Sequence, residues 1–215
     1  VAAACPLTKV ADIDFNLENI KICIDKCISN KCKLAVFPEL CITSYSCADL
    51  FLHTTLIEKS LTALNNLCDY LKGKDILVAV GAPILFNDCL YNCAVIIFNG
   101  KILGIMPKSF IPNYTEFYEK RWFSEGINIK NQYINLPFQE NIPFGVDLIF
   151  KSHIFKFSFE ICEDLWVTIP PSSYLALKGA NIIGNLSASN EVISKASYRK
   201  DLIKNQSGRS LCAYV

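Results

Sequence analysis

Apolar positions recur at helical spacing over residues 15–29, at Leu17, Ile20, Ile24, Cys27 and Ile28, and Asp14 or Asn16 stands where a cap would open that helix. KLAVF (33–37) is instead a short unbroken apolar run ending at Pro38, the pattern of a buried strand. A second helical stretch covers roughly 54–71, and ILVAVGAP (76–83) reads as another buried strand. YNCAVIIF and KILGIMPK flank Asn99-Gly100, a strong hairpin signal, so two antiparallel strands are expected there.

The pattern then breaks. Residues 107–147 are rich in proline, asparagine, aromatics and charge, and read as long loops. HIFKFSFEI (153–161) alternates like a strand with one buried face. Pro170-Pro171-Ser172 opens a short helix over about 172–178. NIIGNL (181–186) is a strand, 193–206 a helix, and VAAA (1–4) and LCAYV (211–215) are strands at the two ends. No repeat, low-complexity tract or linker divides the chain, so residues 1–215 are expected to form one α/β domain.

Composition narrows the function classes. The chain is 52% hydrophobic with a net charge of +1, enough apolar material for a large core and no basic footprint for nucleic acid or anionic membrane. The longest apolar run, 76–86, is too short to span a bilayer and is interrupted by Gly81 and Pro83. Eleven cysteines sit mostly among apolar residues, where cysteine acts as a small hydrophobe. None has CxxC spacing, so neither a metal site nor a disulfide framework is indicated, and a reducing cytosol is the expected compartment.

Three ionisable residues share one placement. Glu39 in FPELCITSY, Lys108 in GIMPKSFIPNY and Cys162 in EICEDLW each follow an apolar strand, and strand ends are rigid places to bring reacting groups together. Cys162 stands out, because a thiol at a strand-to-helix turn is where a nucleophile is held for acyl transfer. Its usual partner would be histidine, but neither His53 nor His153 lies in a context that marks a base. A buried carboxylate is then the candidate proton acceptor. Taken singly, each residue has an ordinary reading as a cap, a solvated charge or a core thiol.

Together with their flanks, the three segments resemble the nitrilase, or carbon–nitrogen hydrolase, superfamily, whose catalytic set is Glu, Lys and Cys in that order. PKSFIPNYTEFYEKRWF (107–123), PFGVDLIF (143–150), EICEDLWVTIPPSS (160–173) and NLSASNEVISKASYRK (185–200) are similar to the glutaminase domains of glutamine-dependent NAD synthetases, over nearly the whole chain. The resemblance implies a four-layer αββα sandwich, truncated at its C-terminus. It implies Glu39 as general base, Lys108 as electrostatic stabiliser, Cys162 as nucleophile and Glu119 as the support of the lysine. It places Tyr114, Glu163 and Ser189 in a glutamine pocket. Without it, Glu119 would be one more exposed charge in EKR, Tyr114 a loop anchor and Ser189 a turn residue.

The implied activity is hydrolysis of the glutamine side-chain amide through a cysteine thioester, with no cofactor in that step. The ammonia would serve amidation of deamido-NAD by a synthetase domain using ATP and Mg, whose SGGxDS-type loop this sequence lacks. A homo-oligomer is the expected assembly. The expectation for LCAYV is an apolar edge that makes residues 1–215 fold poorly alone. The competing readings are a stand-alone amidase acting on another small carboxamide, and a non-catalytic interaction domain of the same fold.

Overall fold

The computed structural model describes residues 1–215. Its eleven strands are β1 (Ala2–Ala3), β2 (Leu34–Val36), β3 (Leu77–Phe86), β4 (Cys89–Phe98), β5 (Lys101–Pro107), β6 (Gln132–Leu136), β7 (Gln139–Phe144), β8 (Phe150–Lys151), β9 (Lys156–Ile161), β10 (Ile182–Leu186) and β11 (Ala213–Tyr214). The helices are α1 (Ile13–Ser29), α2 (Thr54–Leu71), α3 (Pro171–Leu177) and α4 (Lys195–Ser210), with short 3₁₀ turns at Tyr45–Leu52, Glu119–Arg121 and Cys162–Leu165. No helix is long and apolar enough to cross a membrane.

Seven strands form one sheet in the order β1-β2-β3-β4-β5-β7-β6, and four form a second in the order β11-β10-β9-β8. Side-chain alternation along β3 shows how the layers arise. Val78, Val80, Ala82 and Ile84 point to a core that includes Ile20 and Ile24 of α1 and Leu64, Leu67 and Leu71 of α2. Leu77 and Ala79 point the other way, into a core with Phe159, Ile161, Ile183 and Leu186 of the second sheet and Leu175 of α3. The order of layers is therefore helices, sheet, sheet, helices: the αββα sandwich expected from the resemblance. Leu64 and Leu67 are fully buried, and truncating either to alanine costs about 2–5 kcal/mol.

Several expectations need correction. Asp12, not Asp14 or Asn16, caps α1, accepting from the Phe15 N–H at 3.2 Å. Asn16 is fully buried and its amide ties Lys9 to Ile42. The 107–147 stretch is not all loop, since it holds the β6–β7 hairpin at the far edge of the larger sheet. The strand expected from His153 begins at Lys156, and His153 lies exposed before it. Nor does β9 keep a polar solvent face: Ser158 and Glu160 are buried, and Glu160 accepts the Ser172 N–H in the first turn of α3 at 2.7 Å. The hairpin at Asn99-Gly100 forms as expected, both residues having positive φ. A second such turn, Asn87-Asp88, joins β3 to β4.

Candidate active site

Three backbone departures from the sheets place the candidate side chains. Glu39 lies in the turn after β2, beside Leu40 with φ of 51°. That turn rests directly on β3 at Gly81, where an added Cβ would come within 2.1 Å of the Leu40 nitrogen. Only glycine fits there, because any side chain would displace Glu39. Lys108 immediately follows β5, and its N–H donates to the Asn92 carbonyl of β4 at 2.8 Å. Cys162 follows β9 and opens the 3₁₀ turn with φ of 45°, an uncommon backbone state for a residue with a side chain. Its N–H is held by the Asn185 side-chain oxygen of β10 at 3.0 Å.

The side chains converge. Lys108 Nζ donates to Glu39 Oε1 at 2.6 Å and to both oxygens of Glu119 at 2.9 Å, with all three groups shut off from solvent. Glu39 also accepts from Asn92 Nδ2 at 2.7 Å and, on its other oxygen, from the Ala188 N–H at 3.1 Å. Tyr45 donates to Glu119 at 2.7 Å. Glu119 is thus no member of an exposed EKR run: it is 2% exposed, while its neighbours Lys120 and Arg121 face solvent. One residue of the 3₁₀ turn points inward and two point out.

Burial alone would pull the Lys108 ammonium down, but Glu39, Cys162 and Glu119 outweigh it and leave the lysine more firmly protonated than usual. Burial and the Glu39 carboxylate push the Glu119 carboxyl upward against the pull of Lys108 and Tyr45. The Cys162 thiol is pushed up to about 12, first by burial and then by Glu39, with Lys108 and Ser187 opposing. Lys108, Glu119 and Cys162 are thus each shifted by charges of the same buried cluster. A neutral thiol beside a hydrogen-bonded carboxylate suits attack with concerted proton removal. It does not suit a preformed thiolate.

Cys162 opens into a cavity of about 390 Å³ lined by Tyr114, Phe117, Glu163, Trp166, Ser189 and Lys195, among others. Tyr114, Glu163 and Ser189 therefore lie together beside the thiol. The Tyr114 hydroxyl bonds both Glu163 oxygens at 3.0 and 2.9 Å. Lys195, on the first turn of α4, bonds Asn190 and lies over the Trp166 ring at 5.1 Å, without a carboxylate partner. A larger cavity of about 550 Å³ near Phe110 and Ile169 contains none of the reactive groups. Sequence reasoning missed Tyr45, Asn92 and Lys195. Asn92 sat unremarked in a strand, and Lys195 looked like any lysine on a solvated helix.

Known proteins resemble this chain over nearly its whole length. The chain is 37% identical over 220 residues to a glutamine-dependent NAD(+) synthetase of Mycobacterium tuberculosis, covering 100% of this chain and 32% of that protein. The human glutamine-dependent NAD(+) synthetase is 33% identical over 210 residues, 94% of this chain and 30% of its own. The chain thus spans about a third of the length of these relatives. A glutamine-dependent NAD(+) synthetase from Cytophaga hutchinsonii superposes with a TM-score of 0.88 at 30% identity, over 99% of this chain and 34% of that one. An amidase of the nitrilase superfamily from Nesterenkonia shares the fold, with a TM-score of 0.75 at 14% identity over 99% of this chain and 75% of its own. The sequence pattern of the carbon–nitrogen hydrolase family matches residues 1–215 throughout, and the chain belongs to that family.

Proposed function

We propose that this domain hydrolyses the side-chain amide of glutamine, with Cys162 as nucleophile. The observation that carries the choice of glutamine is the cavity itself, whose lining includes the thiol, two acids (Glu116, already bonded by the Asn190 amide, and Glu163) and one cation that makes no ion pair (Lys195). A simple carboxamide needs neither charge. A free amino acid needs both, Glu163 for its ammonium and Lys195 for its carboxylate, with Tyr114 steadying Glu163 and Ser189 adding a hydrogen-bonding group.

The chemistry follows the positions. Glu39 takes the Cys162 proton as sulfur attacks the amide carbon. Lys108 faces the negative charge that develops on the carbonyl oxygen, and Glu119 holds Lys108 in place. The C–N bond breaks, Glu39 returns its proton to the leaving nitrogen, and ammonia departs from a glutamyl thioester. Glu39 then takes a proton from water, hydroxide adds to the thioester, and the departing sulfur is reprotonated to give glutamate. The step uses no cofactor. The ammonia serves amidation of deamido-NAD by an ATP- and Mg-dependent synthetase domain, in a cytoplasmic homo-oligomer.

The test is ammonia release from a panel of small amides by the intact enzyme and its Cys162→Ala variant. Glutamine should be preferred, and the variant should lose several powers of ten in rate while free ammonia still supports the synthetase step. Preference for another amide would favour a stand-alone amidase. Equal loss of the ammonia-dependent step would make Cys162 structural.

A further inference from the structure

Asp164 is buried, forms no ion pair, and takes no part in the chemistry above. Its carboxyl accepts three backbone N–H groups from two distant segments. Oδ1 accepts from Phe110 at 2.9 Å, and Oδ2 accepts from Ile161 at 3.0 Å and from Ser109 at 3.3 Å. Burial and the nearby Glu160 carboxyl push this group up to about 8, against the Ile161 and Phe110 donors and the Lys108 charge. It accepts hydrogen bonds through both oxygens whether or not it carries a proton.

The positions of those donors matter. Ser109 and Phe110 directly follow Lys108, in the irregular segment after β5 of the larger sheet. Ile161 directly precedes Cys162, on the smaller one. The two sheets meet through apolar side chains such as Val36, Ile96, Met106, Phe159 and Leu186. Apolar contact sets the spacing of the sheets but is non-directional, so it does not by itself tie one particular backbone atom to another. A carboxyl bonded to both strand ends resists sliding where it matters, between the lysine and the thiol.

We propose that Asp164 is a positioning residue that sets the separation of Lys108 and Cys162 by clasping the backbone beside each. The proposal rests on the reading of Lys108 and Cys162 as partners in amide hydrolysis. An Asp164→Asn change keeps size but replaces one acceptor oxygen by a donor. Either the Phe110 bond or the Ile161 and Ser109 bonds must then fail, because two donors would face each other.

In the intact enzyme, Asp164→Asn should lower kcat for glutamine hydrolysis by up to about 100-fold, the effect of misplacing a reacting group by roughly 1 Å. KM should stay within about threefold, because the charged groups of the cavity rim are untouched. Rates are expressed per reactive site, counted by alkylation of Cys162. Wild-type kcat per site, or a loss explained wholly by fewer alkylatable sites, would overturn the proposal. Hydrogen exchange on the wild-type protein tests it independently of whether the variant folds. The Ser109 and Phe110 amides, in irregular backbone, should exchange as slowly as those of β9, and fast loop-like exchange of both would overturn the clasp. Should Cys162→Ala retain glutamine hydrolysis, the catalytic reading fails instead, whatever the exchange rates show.

Discussion

The buried Glu39–Lys108–Glu119 set beside Cys162, the floor of the site, and the rim of the cavity into which the thiol opens are built on opposite principles. On the floor, Glu39, Lys108 and Glu119 are 2%, 0% and 2% exposed, and each makes at least two hydrogen bonds to fixed partners. At the rim, Tyr114 is 52% exposed, Glu163 is tied to one tyrosine, and Lys195 has no carboxylate partner. The floor comes from turns pressed against sheet strands, and the rim from the 113–117 loop, the 3₁₀ turn that carries Glu163 and the start of α4. On the proposed mechanism, groups that handle developing charge are held before substrate arrives, and groups that recognise substrate are left with unfilled bonding capacity. Substitutions on the floor should therefore act on folding and turnover, and substitutions at the rim on substrate affinity.

The largest expected effect is that of Lys108→Met. It leaves Glu39 and Glu119 buried face to face with no cation between them, and breaking a buried pair in this way costs about 3–5 kcal/mol. Denaturant unfolding should show the loss, and glutamine hydrolysis should vanish. A variant of wild-type stability would mean that one of the two carboxyls is already neutral in the native protein.

Glu119→Gln should come next. It keeps the shape but removes the charge opposite Lys108 and gives Tyr45 a weaker acceptor. A buried charged hydrogen bond is worth about 1.5–3 kcal/mol, well beyond the ~0.5 kcal/mol of a surface change. Lys120→Gln, next door and exposed, is the control. Equal behaviour of the two variants in thermal unfolding and kcat would return Glu119 to the surface run that its sequence suggests.

That pair of neighbours shows what was legible in the sequence. Glu39, Lys108 and Cys162 stand out because each follows an apolar run, and period alone puts such residues at strand ends. EKR carries no such signal: which charge turns inward is decided by Lys108 and Tyr45, residues distant in the chain. Asn16 was misread because a buried amide tying two loops and a helix cap use the same residue type. The β6–β7 hairpin was hidden by Pro137 and Pro143. Pro143 is tolerated because β7 meets β5 at a single residue pair, Ile105 with Phe144, so the missing N–H breaks little of the ladder. Strand periodicity says that a face is buried but not against which sheet, so the four layers came only from the family resemblance.

The state of the thiol sharpens the comparison without altering a floor carboxylate. Its folded pKa of about 12 lies above the ordinary thiol value of 9.0. The sign follows: the folded protein holds this proton where an unfolded chain would release it. The associated stabilisation is fully present below pH 9, and it is lost as the pH rises through about 12. The thiolate absorbance difference between wild type and Cys162→Ser should stay flat until above about pH 10. Thiolate signal at neutral pH would mean that Lys108 outweighs burial, and that Glu39 is not needed to ionise the nucleophile.

The smallest effects belong to the rim, where they should fall on KM. Glu163→Gln removes the charge proposed to meet the substrate ammonium and should raise KM about tenfold, the usual size of one lost charge-assisted contact of ~1.4 kcal/mol. Tyr114→Phe removes only the hydroxyl that steadies Glu163. In so exposed a place that bond is worth under about 1 kcal/mol, a KM change of roughly fivefold at most. Because the tyrosine acts through the glutamate, the two losses should not add. In Glu163→Gln the further change at Tyr114 should cost much less than it does alone, a coupling that a double-mutant cycle in KM measures directly. Full additivity would show that Tyr114 meets substrate on its own account. A fall in kcat in either single variant, with KM unchanged, would erase the division between floor and rim, because a rim group would then be acting in the transition state rather than in binding.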